Sequence, residues 1–242
     1  MNMDGAVALV TGAGRRIGRA IALALAERGA DVMIHYNTSE SEAADTQSKS
    51  ASHGVNADTV QADLSRPEEV ERIVDATRNS LGDVQILINN ASIFDHVSFR
   101  DTTREDWERN QQINLSAPVQ LMQRFAEQNA GEGRIVNLLD WRARRPQARQ
   151  FAYSVSKSGL AGATMAAAQE LGPDITVNGV APGPILPPEG EEKQELEHVV
   201  KDLPVNRWGD VSEVVRAVLF FIASDGFITG EVIHVDGGRH LM

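Results

Sequence analysis

Seven short apolar runs rich in Val and Ile alternate with longer amphipathic segments, and this alternation limits the folds open to the chain more than any other feature. The runs fall at Ala6 to Thr11, Asp31 to Tyr36, Ala57 to Ala62, Val84 to Asn89, Arg134 to Leu139, Ile175 to Val180 and Val232 to Val235. Strands that are apolar along their length belong in a parallel sheet covered by helices on both faces. The segments between them, near Ile17 to Arg28, Ser41 to Ser52, Pro67 to Ser80, Arg104 to Asn129, Ala152 to Glu170 and Val211 to Ala223, supply those helices. Pro67 followed by Glu68 and Glu69 is a helix start, since proline suits the first turn and carboxylates suit the positive end of the helix dipole. The expected fold is α/β, a Rossmann-type doubly wound seven-stranded parallel sheet in a single domain over residues 1–242.

Composition narrows the function. Acidic residues outnumber basic ones 34 to 23, a net charge of −11. A nucleic-acid binder needs the opposite balance, because Lys and Arg neutralising phosphates supply most of that affinity. No nucleic-acid partner is expected. The absence of cysteine removes disulfide scaffolds, thiolate metal sites and cysteine nucleophiles. The six histidines are scattered, so no metal is expected either. No apolar stretch approaches a membrane span, and Ala6 to Val10 reads as a strand rather than a targeting segment. No membrane partner is therefore expected, and a cytoplasmic location is. One segment breaks the alternation, from Pro182 to Pro204, rich in Pro and Gly at first and then charged. It follows a strand's carboxyl end, where such sheets bind ligands, and residues 184–204 are expected to form a lid.

The first strand leads into Thr11, Gly12, Ala13, Gly14, Arg15, Arg16, Ile17 and Gly18, and then into an apolar helix. Glycines let a backbone turn tightly against a pyrophosphate, and a helix N-terminus offers it unpaired amides. At the end of the second strand, where an acidic side chain would take the ribose hydroxyls of NAD, the chain has Tyr36, Asn37, Thr38 and Ser39. With Arg15 and Arg16 nearby, these side chains suit the extra phosphate of NADPH/NADP+. Glu40, one position on, is the residue that argues for NAD instead.

Tyr153 and Lys157 stand four apart in a chain with only two tyrosines and four lysines. On a helix they share a face. An ammonium near a phenol favours phenolate, so the lysine is expected to lower the tyrosine pKa toward the range of an acid catalyst.

Taken together, the TGxxxRIG turn, Asp63-Leu64, Asn89-Asn90-Ala91, Asn114, the Tyr153 to Lys157 motif, Pro182-Gly183 and Asp236-Gly237-Gly238 resemble the short-chain dehydrogenase/reductase family over essentially the whole chain. The resemblance implies that Tyr153 donates a proton, that Lys157 also grips the nicotinamide ribose, and that Asn114 holds a water in a proton relay. It further implies that Asp63, Leu64, Asn90, Ala91, Ser92, Pro182, Gly183 and Ile185 line the cofactor site, and that the protein is a homotetramer.

Three departures narrow the family. Arg16 replaces a glycine of the turn, Pro187 replaces a threonine after the Pro-Gly pair, and Asp140 stands thirteen residues before Tyr153 where serine is usual. With Ser92 and Phe94, they look like the pteridine reductase branch. A ketone being reduced gathers negative charge on oxygen and wants donors, whereas an ionised Asp140 only accepts. Reducing a ring C=N bond instead delivers a proton to nitrogen, and a carboxyl coupled to Tyr153 can pass that proton on from solvent. The expected substrate is therefore a pterin, bound by Ser92, Phe94, Asp140, Tyr153 and Leu186, with Phe94 stacking on the flat ring. The other reading of Asp140 is a surface carboxylate paired with Arg142 or Arg144, and that of Phe94 is a core side chain. Arg142, Arg144, Arg145 and Arg149 form either a solvated face or an attraction for an anionic substrate tail. A carbonyl reductase of the same family and a catalytically idle NADP-binding sensor are the alternative functions.

Overall fold

In the computed structural model, which describes residues 1–128, 131–187, 192–193 and 196–242, all seven strands form one sheet. They are β1 (Val7–Val10), β2 (Asp31–Tyr36), β3 (Ala57–Gln61), β4 (Val84–Asn89), β5 (Gly133–Leu138), β6 (Ile175–Pro182) and β7 (Val232–Val235). Their order is β3-β2-β1-β4-β5-β6-β7, with every neighbouring pair parallel. The chain moves outward from β1 to β3 and then returns to place β4 on the other side of β1. A crevice opens at the carboxyl ends of β1 and β4, the place where open parallel sheets bind ligands.

The helices are α1 (Arg16–Ala26), α2 (Glu40–Ala51), α3 (Pro67–Leu81), α4 (Arg104–Gln111), α5 (Ala117–Gln128), α6 (Phe151–Leu171) and α7 (Val211–Ala223). On one face, Ile21 and Leu25 of α1 and Val214, Val218 and Phe221 of α7 pack on Ala8, Val10, Ile86 and Ile88. On the other, Ile73 and Val74 of α3 and Leu121 and Phe125 of α5 pack on Leu9, Leu87 and Ile135. Alternate residues of the central strands thus serve opposite layers, which is why the runs read as apolar throughout.

Two expectations need correction. The segment Arg104 to Asn129 is not one helix, because a π-helical turn at Gln112–Ser116 separates α4 from α5. Its expected end, Asn129, lies outside the described residues. Strand β6 also runs on to Pro182, two residues beyond the expected Val180. Of the expected lid, residues 188–191, 194 and 195 lie outside the described residues; in the remainder, Val200 and Leu203 are buried and a short 3-10 turn covers Glu197–Val199. Among the described residues, no helix is long and apolar enough to cross a membrane.

Candidate active site

The crevice begins with the turn after β1. Thr11 Oγ1 donates to the Ile88 carbonyl and accepts from the amides of Asn90 and Ala91, while Asn90 Nδ2 donates to the carbonyls of Thr11 and Gly12. These bonds clamp the β1 and β4 loops together. Gly12 has φ +62°, and a Cβ there would lie 3.1 Å from the Ala91 Cα. A Cβ on Gly18 would lie 2.3 Å from the Gly12 carbonyl oxygen. Both positions require glycine. Gly14 differs from the expectation, since it faces α2 rather than the crevice: its carbonyl accepts from Thr46 Oγ1, and a Cβ would meet Ser39 Oγ at 3.0 Å.

The crevice is a groove of about 330 Å³ lined by Gly12, Arg15, Arg16, Ile17, Gly18, Tyr36, Asn37, Thr38, Ser39, Asp63, Leu64, Asn90, Ala91 and Ser92. Glu40 opens α2 and is exposed outside this lining. Arg16 adopts φ +54°, a left-handed conformation costing roughly 1 kcal/mol or more for a residue with a side chain. Its guanidinium reaches across the groove to the Pro187 carbonyl at 2.8 Å.

Sequence reasoning missed three lining residues, Ile93, Ile113 and His35. His35 is buried in β2; its Nδ1 accepts from the Gly12 amide at 3.1 Å and its Nε2 faces the Ala62 carbonyl at 3.1 Å. Burial lowers its pKa to about 4, so the ring is neutral with its proton on Nε2.

A second cavity of about 190 Å³ continues from the groove, sharing Arg16, Ile17, Asn90 and Ser92 with it. Its remaining lining is Leu138, Leu139, Asp140, Tyr153, Lys157, Pro182, Gly183, Ile185 and Leu186. The ends of β5 and β6 and the first turns of α6 therefore bring the expected catalytic side chains together beside the groove. The Tyr153 hydroxyl donates to Asp140 Oδ2 at 3.1 Å. Asp140 also pairs with Arg142, at 3.2 Å, but only 16% of its side chain is exposed, so the expected pairing is present and the surface position expected with it is not.

Burial pushes the Asp140 pKa up, against the pull of Arg142. Burial, followed by the charge of Asp140, pushes that of Tyr153 well above the usual phenol value. The expectation that Lys157 would lower it needs correction. The Lys157 ammonium donates to the Leu138 carbonyl at 2.8 Å and lies 5.9 Å from the centre of the Tyr153 ring. Its own pKa falls to about 8, mainly by burial.

Phe94 is 42% exposed and meets the Tyr153 ring edge-on at 4.6 Å, which excludes the core reading. Arg144, Arg145 and Arg149 are exposed, while Arg142 turns inward. Asn114 is fully buried in the π turn. Its Oδ1 accepts from Ser92 Oγ and the Ile93 amide, and its Nδ2 lies within hydrogen-bond distance of the Ile93 carbonyl and Ser156 Oγ. Asn114 thus ties the β4 loop to α6.

A family profile described as Enoyl-(Acyl carrier protein) reductase matches residues 12–240. The chain is 34% identical over 252 residues to a short-chain type dehydrogenase/reductase of Picea abies, covering 98% of this chain and 93% of that protein. It is 35% identical over 248 residues to the 3-oxoacyl-(acyl-carrier-protein) reductase FabG of Vibrio cholerae, covering 100% of both. Among solved structures it is similar to FolM alternative dihydrofolate reductase 1 from Brucella canis complexed with NADP, with a TM-score of 0.93, 35% identity, and coverage of 100% of this chain and 97% of that one.

Proposed function

The chain belongs to the short-chain dehydrogenase/reductase family, and on that premise we propose that it is an NADPH-dependent pterin reductase acting as a homotetramer. The observation that carries the substrate class is the partly buried hydrogen bond from Tyr153 to Asp140. A carboxylate behind the acid tyrosine repels a developing alkoxide but suits proton delivery to a ring nitrogen.

The cofactor is NADP(H), as in the FolM structure. The groove fits it: Gly12 and Gly18 leave room where a Cβ would collide, and Arg15, Arg16, Asn37, Thr38 and Ser39 line it with cations, an amide and hydroxyls. Those side chains suit the 2′-phosphate, Asp63 and Asn90 suit the adenosine half, and Lys157 suits the nicotinamide ribose. When bound, the reduced cofactor supplies the hydride.

The protein supplies the proton. In the form shown, Tyr153 directs its proton at Asp140. Once Asp140 has itself taken a proton from solvent, it becomes a donor to the Tyr153 oxygen, and Tyr153 can pass its own proton to a nitrogen in the cavity. The proton gained at Asp140 replaces the one lost from Tyr153. Phe94, exposed beside Tyr153, offers its ring to a flat substrate.

The similarity to FabG supports the other reading, reduction of a 3-oxoacyl thioester. Asp140→Ser separates the two. Pterin turnover is expected to fall on the order of 100-fold with NADPH binding intact, while ketone turnover holds or rises. An unchanged ratio of the two turnovers would remove Asp140 from the reaction, and NADPH oxidation with no substrate in a panel of pterins and ketones would leave only a sensor.

A further inference from the structure

We propose that Arg142 is a positioning residue of this site: it aims the Asp140 carboxyl at Tyr153 and, through the ion pair, sets the pH at which that carboxyl takes up the proton it passes on. The proposal rests on the reading of Asp140 and Tyr153 as the acid pair.

The geometry is that of a built contact. The Arg142 amide donates to Asp140 Oδ1 at 2.7 Å, and its Nη1 lies 3.2 Å from Oδ1 and 3.3 Å from Oδ2. Oδ1 is thus committed to Arg142, and Oδ2 is turned toward the Tyr153 hydroxyl. The guanidinium lies 4.6 Å from the ring centre of Trp141, which is buried, and 5.0 Å from that of Phe94, which comes from the loop after β4. Two rings from separate parts of the chain therefore fix the cation. Its Nε is buried with no hydrogen-bond partner, a cost that a hydrated surface arginine would not bear. Only 19% of the Arg142 side chain and 16% of the Asp140 side chain are exposed, so this pair is not the weak, screened kind found on surfaces.

The charges facing Asp140 come from more than its own turn. Tyr153 and Lys157 approach from α6, with the Lys157 ammonium tied to the Leu138 carbonyl. Arg239, from the C-terminal turn, stacks on Trp141 at 5.1 Å. Among the described residues, Arg142 is the cation bonded to the carboxylate. Burial favours the neutral acid and Arg142 favours the carboxylate, with burial the larger influence. Without the guanidinium, the residue 142 amide and the Tyr153 hydroxyl are left to oppose burial, and the carboxyl would hold its proton to higher pH. The negative charge that keeps the Tyr153 proton in place would then be absent over more of the working range.

The test is a carbon-detected titration of the full chain labelled with carboxyl-13C aspartate, the Asp140 signal being identified by its loss in Asp140→Asn. In Arg142→Met the midpoint of Asp140 is expected to rise by about one pH unit or more, a tenfold change in proton affinity. The limb of the kcat profile that Asp140→Asn abolishes should move with it. Arg142→Lys, which keeps the charge, should bring the midpoint back toward the parent value. A midpoint unmoved in a folded Arg142→Met protein would overturn the proposal, as would a lysine variant that matches the methionine one. Should Arg142→Met fail to fold, Arg142→Gln is expected to show the same rise, and an unmoved midpoint there would be equally decisive. The titration needs no substrate, so a panel favouring ketones would overturn the pterin reading and leave this result standing.

Discussion

His35 bonds two backbone groups at once, the Gly12 amide and the Ala62 carbonyl, and can do so only as a neutral ring. Its pKa falls from 6.5 to about 4 on burial, so between those values the unfolded chain binds the proton that the folded chain refuses. Stability is then complete above pH 6.5 and is lost as the pH falls toward 4, by about 3 kcal/mol from this group. Urea unfolding at pH 7 and pH 4 should show that loss in the parent and a correspondingly shallower dependence in His35→Gln; equal dependences would mean that His35 is not held neutral. No motif marks a lone histidine in an apolar strand, although its place in β2, beside the β1 turn, was a usable signal. The residues at the end of β2 were more legible, since Asn37, Thr38 and Ser39 all line the groove. Asn37→Asp should erase a preference for NADPH over NADH of at least tenfold, about 1.4 kcal/mol, as read by titration with both cofactors. The offset of Tyr153 and Lys157 put them on one face, but could not reveal that a strand carbonyl, Leu138, would take up the ammonium.

At the level of elements, the strands were readable because both faces of the sheet are covered, and the error fell where a helix departs from one period. Pro118 lacks the N–H that would bond to the Asn114 carbonyl four residues back, so a regular ladder from α4 into α5 could not have formed. The π turn sits at that point, and such turns gather at functional sites. Asn114→Ala would leave groups of Ser92, Ile93 and Ser156 without their buried partner. A loss of about 2 kcal/mol or more is expected in thermal or urea unfolding, with faster hydrogen exchange at the Ile93 amide. Gly18→Ala tests the meeting of α1 with the β1 turn. Its methyl would have to displace the Gly12 carbonyl and Asn90 Nδ2, which a Cβ would approach to 2.3 and 2.4 Å. NADPH affinity should fall at least tenfold, about 1.4 kcal/mol, and unchanged affinity would mean that the turn does not form the cofactor site.

For the whole molecule, α6 matters most, because it carries the site on one side and presents a second face outward. Tyr153, Lys157, Leu160, Thr164 and Ala168 turn inward, at helical spacing. Gly162, Met165, Ala166 and Gln169 share the outer face and are exposed. A Cβ on Gly162 would touch nothing within 4 Å, so the protomer itself does not require a glycine there. Small side chains on such a face let two helices approach closely, and closed symmetric assembly is the common outcome for chains of this kind. On the proposed homotetramer, light scattering should find four copies of the 26.3 kDa chain at micromolar concentration. Ala166→Arg would place a long cation on the outer face without entering the core. A smaller species with the parent's far-UV circular dichroism is expected, together with a lower Tm, since assembly stabilises the folded protomer by mass action. On the proposed assembly, specific activity should fall as well, since Tyr153 and Lys157 stand on the inward face of the same helix. A parent that scatters as a monomer, or an arginine variant that still scatters as a tetramer, would show that this face of α6 is not where the copies meet.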